Sequence, residues 1–509
     1  MKGHLLRGSA AALILSCSAQ TALADLTPQE VWTAWEGYYT DLGYDLKVTQ
    51  ETTGNTLTIQ SLEVSQELPD DAGSVTITSG PLDLVSNGDG SVSLRLPDRL
   101  PLVVQIDAKD DDEDATVSME LRYENASIVV TGTPAEMTLR STVSEITGKL
   151  VDLVVDGDPM PAGMVRAQVA VTNIVSTLDM QFGDTNGYRQ MGSAGMVTYD
   201  IGFDSPETEE AGSFKGALRD LRISGAAQLP ADVEAADFSQ LLNSSATANV
   251  HVSYGSGNGD FSGKGDGASF AVTTTSKGGT LGFDLADGQV AYDVTQVEPQ
   301  VMMQTGDIPF PIAFALKATK FALSVPATPS EEEQPFALGL TLSGFTMPEN
   351  LWGIFDPGAI LPRDPATIIV DLTGKAKVLM DIFAPDFAKT AEQGDATPAE
   401  LNAVTVNALE VTAAGASLTG KGDFTFDNAD KESFGGFPAP EGNADLRLAG
   451  ANGLIDKLLQ MGLMGQQDAM GARMMMGMIG APTGEPDTLS SHIEINDKGQ
   501  VFANGQRLK

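Results

Sequence analysis

Beyond its first 25 residues the chain holds two histidines, His251 and His492, and no cysteine. A serine–histidine–aspartate site needs only one imidazole. However, no Gly-x-Ser-x-Gly elbow occurs anywhere, and nothing beside either histidine marks a nucleophile. A histidine-based zinc centre needs two or three converging ligands, and the two histidines are far apart in sequence. With 69 Asp and Glu, carboxylate pairs arise by chance too often to point to a site. The run Asp110-Asp111-Asp112-Glu113-Asp114 has the acids of a calcium loop but lacks the glycine and closing glutamate of an EF-hand. It reads instead as a solvated hairpin tip. Gly255–Gly267 (GSGNGDFSGKGDG) departs twice from a phosphate loop, because Asn258 stands where the first glycine is required and Lys264 is followed by Gly265 where a magnesium-binding hydroxyl is required. Glycine where strands bend or bulge is the alternative.

The C-terminal region carries the most distinctive cluster. Leu454, Ile455, Leu458, Leu459 and Leu463 form one helical stripe, and Met461, Met464, Met470, Met474, Met475, Met476 and Met478 follow. Thioethers are soft ligands suited to Cu(I). Met surfaces are also adaptable contacts for lipids or partners, and a helical hairpin packed on a sheet would produce the same pattern. The expected ligand or partner contacts are Leu459, Met461, Met464, Met470, Met474, Met475 and Met478. No catalytic residue, metal centre or cofactor is expected.

The elements that position these residues read as mainly β. Thr27-Pro28-Gln29-Glu30 is a capping box with proline at the first helical position. Val31, Trp35, Tyr38 and Leu42 follow on one face. The helix is expected to dock its aromatics on a β core. The period then changes to two: Thr56–Val64, Ser91–Leu96, Ala115–Tyr123, Met196–Phe203, Ala217–Ile223, Ser269–Thr275, Ile312–Val325, Phe336–Phe345 and Ala416–Phe426 alternate apolar and polar residues. Asn87–Gly90, Asp497–Gly499 and Asn504-Gly505 are turn signals. Short strands at this spacing imply antiparallel sheet. Helical patches are expected at Ala231–Leu242, Pro348–Phe355 and about Asp381–Lys389, and polar loops at Asp204–Ser213, Ala327–Gln334 and Ala391–Glu400. Gly263-Lys264-Gly265-Asp266 is echoed by Gly420-Lys421-Gly422-Asp423, without the fixed period of a repeat array.

Lys2, His4 and Arg7, the apolar run Ala10–Cys17 and Ala22-Leu23-Ala24 form an export signal with expected cleavage after Ala24. A competing lipoprotein reading uses Ile14–Cys17, where Leu15 fits poorly. No later run reaches the ~18 apolar residues of a membrane span. The chain is expected in the periplasm, divided into the leader 1–24, an N-terminal helix plus β module 25–230, a second β module 231–450 and a closing unit 451–509. Thirty Lys and Arg against 69 acids give a net charge of −39. That balance opposes binding to nucleic-acid phosphates and to anionic membrane surfaces.

An export signal, a Trp-bearing capping helix, a long succession of strands with T-G-K-G-D turns, and a Leu/Met helix pair closed by D-K-G-Q-V-F-A-N-G-Q resemble the alphaproteobacterial DUF2125 family over most of the exported chain. The resemblance implies a periplasmic protein and carries over no functional residue. More distantly the layout is similar to AsmA-like envelope proteins, an architectural analogy. The expectation is a long curled antiparallel sheet, or tandem β modules, with an N-terminal helix and a C-terminal Leu/Met-rich hairpin. The expected function is non-catalytic handling of a lipid or other amphiphile in the cell envelope. An envelope assembly scaffold is the alternative, and a hydrolase the third reading.

Overall fold

The computed structural model describes residues 26–509 apart from 42, 69–71, 110–113, 206–207, 232, 234–237, 266, 307, 382, 384–386 and 388–396. The leader with Cys17, Leu42, most of the acidic run 110–114, and much of the patches at 231–242, 381–389 and 391–400 therefore lie outside the described residues.

Helix α1 (Pro28–Asp41) starts as its capping box requires. The Glu30 N–H donates to Thr27 Oγ1 (3.3 Å), and the Thr27 N–H donates to Glu30 Oε2 (2.9 Å). Its inner side buries Val31 and Trp32 against Leu57, Ile59, Leu84, Val92, Val130, Met137 and Met180, with Trp35 packed beside them. This is the larger of the two buried apolar clusters among the described residues. A smaller one gathers Leu242 of α2 (Phe238–Leu242) with Leu285 and Ala327.

Among the described residues the strands, thirty in all, form a single antiparallel sheet. The chain crosses it back and forth, and each crossing pairs with the crossing before it and the one after. Glu136–Val155 pairs with Val165–Gln181, then Thr185–Ser205, then Glu210–Pro230. Pairing continues past residue 230 onto Thr247–Tyr254 and Ser256–Gly265. It proceeds without a break to Ala439–Ala449 and Thr488–Ile495. Several crossings are two strands end to end. Ile312–Val325, read as one run, is Ile312–Ala315 and Ala318–Pro326. Most of the polar stretch Asp204–Ser213 is strand rather than loop, since the backbone stays extended through Ser205 and resumes at Glu210. Its polar residues satisfy the ladder as well as apolar ones do.

A line of irregular positions crosses the middle of these strands. Asn125, Asn173, Asp220 and Glu298 have φ between 45 and 55°, and Gly344 has φ 66°. Asn and Asp tolerate this left-handed conformation better than most residues. At this line the odd–even phase of the apolar residues inverts. In Val165–Gln181 they are Val169 and Val171 before Asn173, then Ile174, Leu178 and Met180 after it. In Glu210–Pro230 they are Phe214 and Leu218 before Asp220, then Leu221, Ile223 and Leu229. An α-like residue inside a strand acts as a bulge and re-aims the side chains beyond it. Both halves therefore keep their apolar side chains on one face. Tyr254, from the second phase, and Leu218, from the first, both flank the side-chain position of Gly257, at 3.2 and 3.0 Å. Likewise Leu62 and Ile59, on either side of a bulge, join the same cluster under α1.

Candidate ligand-binding face

Register assembles the apolar face row by row. In one row Ala167, Ile201, Phe214, Phe261, Val272, Met303 and Ile312 stand opposite one another on seven successive crossings. At ~4.8 Å per strand this row runs about 29 Å. Beyond the mid-strand line another row joins Ile223, Val252, Leu281, Val294 and Phe321, and continues through Leu340, Val370 and Leu409. Ile201, Phe214, Phe261, Ile223, Leu281 and Phe321 of these rows are exposed, and the others are half-buried. Phe203 is 47% exposed, Phe214 44%, Phe261 45% and Phe270 39%. Tyr199 and Phe214 lie 4.6 Å apart by ring centroid, and Phe261 and Phe270 5.2 Å.

Glycine makes room for these rings. A Cβ on Gly263 would stand 2.4 Å from the Phe270 ring, and one on Gly216 would stand 2.3 Å from the Tyr199 hydroxyl. Within this segment Ser256–Gly265 is thus strand, with Gly257, Gly259, Phe261 and Gly263 on the apolar face. Asn258, Asp260, Ser262 and Lys264 are on the other. Gly420 repeats the solution, because its Cβ position is filled by Leu446 (2.6 Å). The Gly-Lys-Gly echo is a shared way of laying a large side chain across a strand.

The opposite face is mainly polar, although Val175, Met191 and Met302 stand exposed on it. Arg166 and Lys215 bond Asp200 at 3.1 and 3.0 Å. The Lys215 hydrogen bond, with that of Arg166, holds the Asp200 carboxyl below its ordinary range. Thr138 donates to Asp179 and Thr273 to Asp260. Both histidines belong here, His251 at 3.6 Å from Asp284 and His492 Nδ1 at 2.7 Å from Asp445. Among the described residues no hydroxyl bonds either imidazole, and no cluster of three His, Cys, Asp or Glu is arranged to hold a metal. A cleft of about 450 Å³ lined by Arg166, Ser213, Lys264 and Gln304 together with Phe203 and Phe270 contains neither histidine.

The C-terminal hairpin closes one end of the apolar face. Helix α3 (Glu349–Phe355) precedes it in the chain, and the hairpin consists of α4 (Ala451–Gln460) and α5 (Gln466–Ile479). Asp487 caps α4 by accepting the N–H groups of Asn452 (3.1 Å) and Gly453 (2.9 Å). The Ile479 carbonyl at the end of α5 accepts from Ser491 Oγ (2.6 Å) and Asn504 Nδ2 (3.0 Å). Beneath α5 a cavity of about 70 Å³ is lined by Leu418, Leu446, Leu448, Met476, Ile479 and Leu489. The predicted contacts divide into two groups. Leu459, Met461 and Met464 are half-buried. Met470, Met474, Met475 and Met478 are 71, 73, 59 and 51% exposed on the outer side of α5. The phenylalanines of the open sheet were missed. Their signal was the regular interleaving of glycine with Phe on alternate positions.

The sequence profile of a family described as an uncharacterized protein conserved in bacteria (DUF2125) matches residues 220–508. That is more than half of the chain, and the chain belongs to this family. The matched span begins near Asp220 of the mid-strand line and includes the whole C-terminal hairpin. A comparison with curated proteins finds no match. No helix among the described residues is long and apolar enough to cross a membrane.

Proposed function

We propose that the open apolar face holds the hydrocarbon chains of a lipid or other amphiphile in the cell envelope, without catalysis. The observation that carries this reading is the continuity of Val, Leu, Ile and Phe rows across the sheet, with exposed residues recurring along them. Exposed apolar patches of this extent on a monomer mark binding surfaces. A protein partner would call for interspersed hydrogen-bonding groups, at about one bond per 100–200 Å². It would also favour Trp, Tyr and Arg anchors. The rows offer few of these, and hydrocarbon needs none. A chain that fills one leaflet spans about half of the ~30 Å bilayer core, so the 29 Å row has room for more than one chain. The export signal would deliver the protein to the compartment where such ligands are handled. The large negative charge favours neutral headgroups over anionic ones.

Protein exported through its own leader, purified without detergent and extracted into organic solvent tests this. Mass spectrometry is expected to find stoichiometric lipid. A lipid-free protein that instead retains a second envelope protein would replace this reading with the scaffold. A lipid-free monomer would end both.

A further inference from the structure

The outer side of α5 bears every large apolar residue of that helix that is not turned toward the sheet, and all of them are thioethers. Met474 and Met475 each lie one turn from Met478, at i+4 and i+3. That spacing puts Cβ atoms about 5–6 Å apart. The unbranched side chains let three sulfurs lean toward one point. All three residues are more than half exposed, so packing does not hold them elsewhere. The helix beneath them is fixed. Ala469 is buried, Arg473 is turned to Asp456 and Asn452 of α4, and the C-terminal carbonyl is bonded to Ser491 and Asn504. Arg473 is the only basic residue of α5, so no cation shares the outer surface. Thioether sulfur is a weak ligand for Mg²⁺ or Ca²⁺ and a good one for soft ions.

We propose that Met474, Met475 and Met478 form a trigonal site for a soft monovalent ion, Cu(I), for which Ag(I) is a redox-inert stand-in. The site lies on the far side of α5 from the sheet and does not depend on the lipid reading.

Purified full-length protein is titrated with Ag(I) by native mass spectrometry, and anaerobically with Cu(I) against a chromophoric chelator. One tightly held ion is expected. The variant M474L/M475L/M478L keeps apolar bulk and helix propensity while removing every sulfur of the site. It should lose at least tenfold in affinity, since removing even an outer partner of a metal ligand costs about 10–100-fold. M461L/M464L, and M191L/M302L at exposed methionines of the sheet, should bind like the parent. Far-UV circular dichroism confirms that each variant is folded. No binding by the parent, or equal binding by the folded triple variant, would overturn the proposal. Co-purified lipid unchanged in the triple variant would separate this site from the apolar face.

Discussion

Replacing Phe214 and Phe261 by Gln tests the apolar face most directly. The two rings are opposite one another in register and are 44 and 45% exposed. A phenylalanine presents about 200 Å², so each leaves roughly 90 Å² for a ligand to cover. At about 25 cal/mol per Å² that is ~2 kcal/mol per ring and ~4 kcal/mol for the pair. Imperfect contact and ordering of the ligand remove part of this. A net loss of about 2 kcal/mol, or roughly 30-fold in affinity, is the expectation for the double variant. The assay is displacement of a fluorescent fatty-acid analogue, run beside D260N as control. Asp260 is in the same strand on the polar face, bonded by Thr273, and its change should leave affinity alone. Because both rings are already half in water, the double variant should stay folded. Unchanged affinity in folded F214Q/F261Q, or an equal loss in D260N, would refute the assignment of the face.

Other outcomes rest on the packing. T27A removes the reciprocal cap of α1 and should cost about 1 kcal/mol. W32A opens the main core and should cost about 3–5 kcal/mol, both read by urea denaturation. G263L sets a side chain against the Phe270 ring and should destabilise by about 1–3 kcal/mol while weakening probe binding. Burial pushes the Asp487 carboxyl up, but bonds from Gly453 and Asn452 outweigh it and hold it below the ordinary range. For Asp356 burial likewise opposes, and the N–H groups of Ile360 and Leu361 with Arg363 prevail. A folded value below the unfolded one means stability fully present above about pH 4 and lost as pH falls through the folded value. D356N should therefore be less stable than the parent at neutral pH, with the gap closing in acid, measured by melting temperature against pH. N-terminal sequencing of exported protein is expected to begin at Asp25, and a lipidated Cys17 would correct that.

Much of the architecture was readable because local rules act within a few residues. Thr27 and Glu30 announce the helix, and Asn504-Gly505 the last turn, where φ is 49 and 81°. The Leu/Met hairpin follows from its own period. The unreadable part is non-local or disguised. Asn173 and Asp220 look like ordinary polar residues in a strand. Only their left-handed backbone explains why alternation slips by one in mid-run and why the slip does not turn the apolar side chains away. The pairing of Glu210–Pro230 with Thr247–Tyr254 and Ser256–Gly265 is of this kind, since no local pattern specifies it. The methionines were visible as a cluster, but burial alone separates Met476, turned to the sheet, from Met474 and Met478, turned away.

Serial pairing has a mechanical consequence. Because each crossing of the sheet touches its predecessor and its successor, stability approximates a sum of neighbour terms, as in repeat arrays. Pulled from its two ends, such a molecule should yield in a succession of small ruptures, one hairpin at a time, rather than in one cooperative break. The same additivity governs growth. A barrel must satisfy a closure condition among strand number, tilt and stagger, whereas this sheet meets none. A hairpin of compatible phase can be added or deleted within the series, lengthening or shortening the apolar surface by two strand widths while every other interface stays as it was.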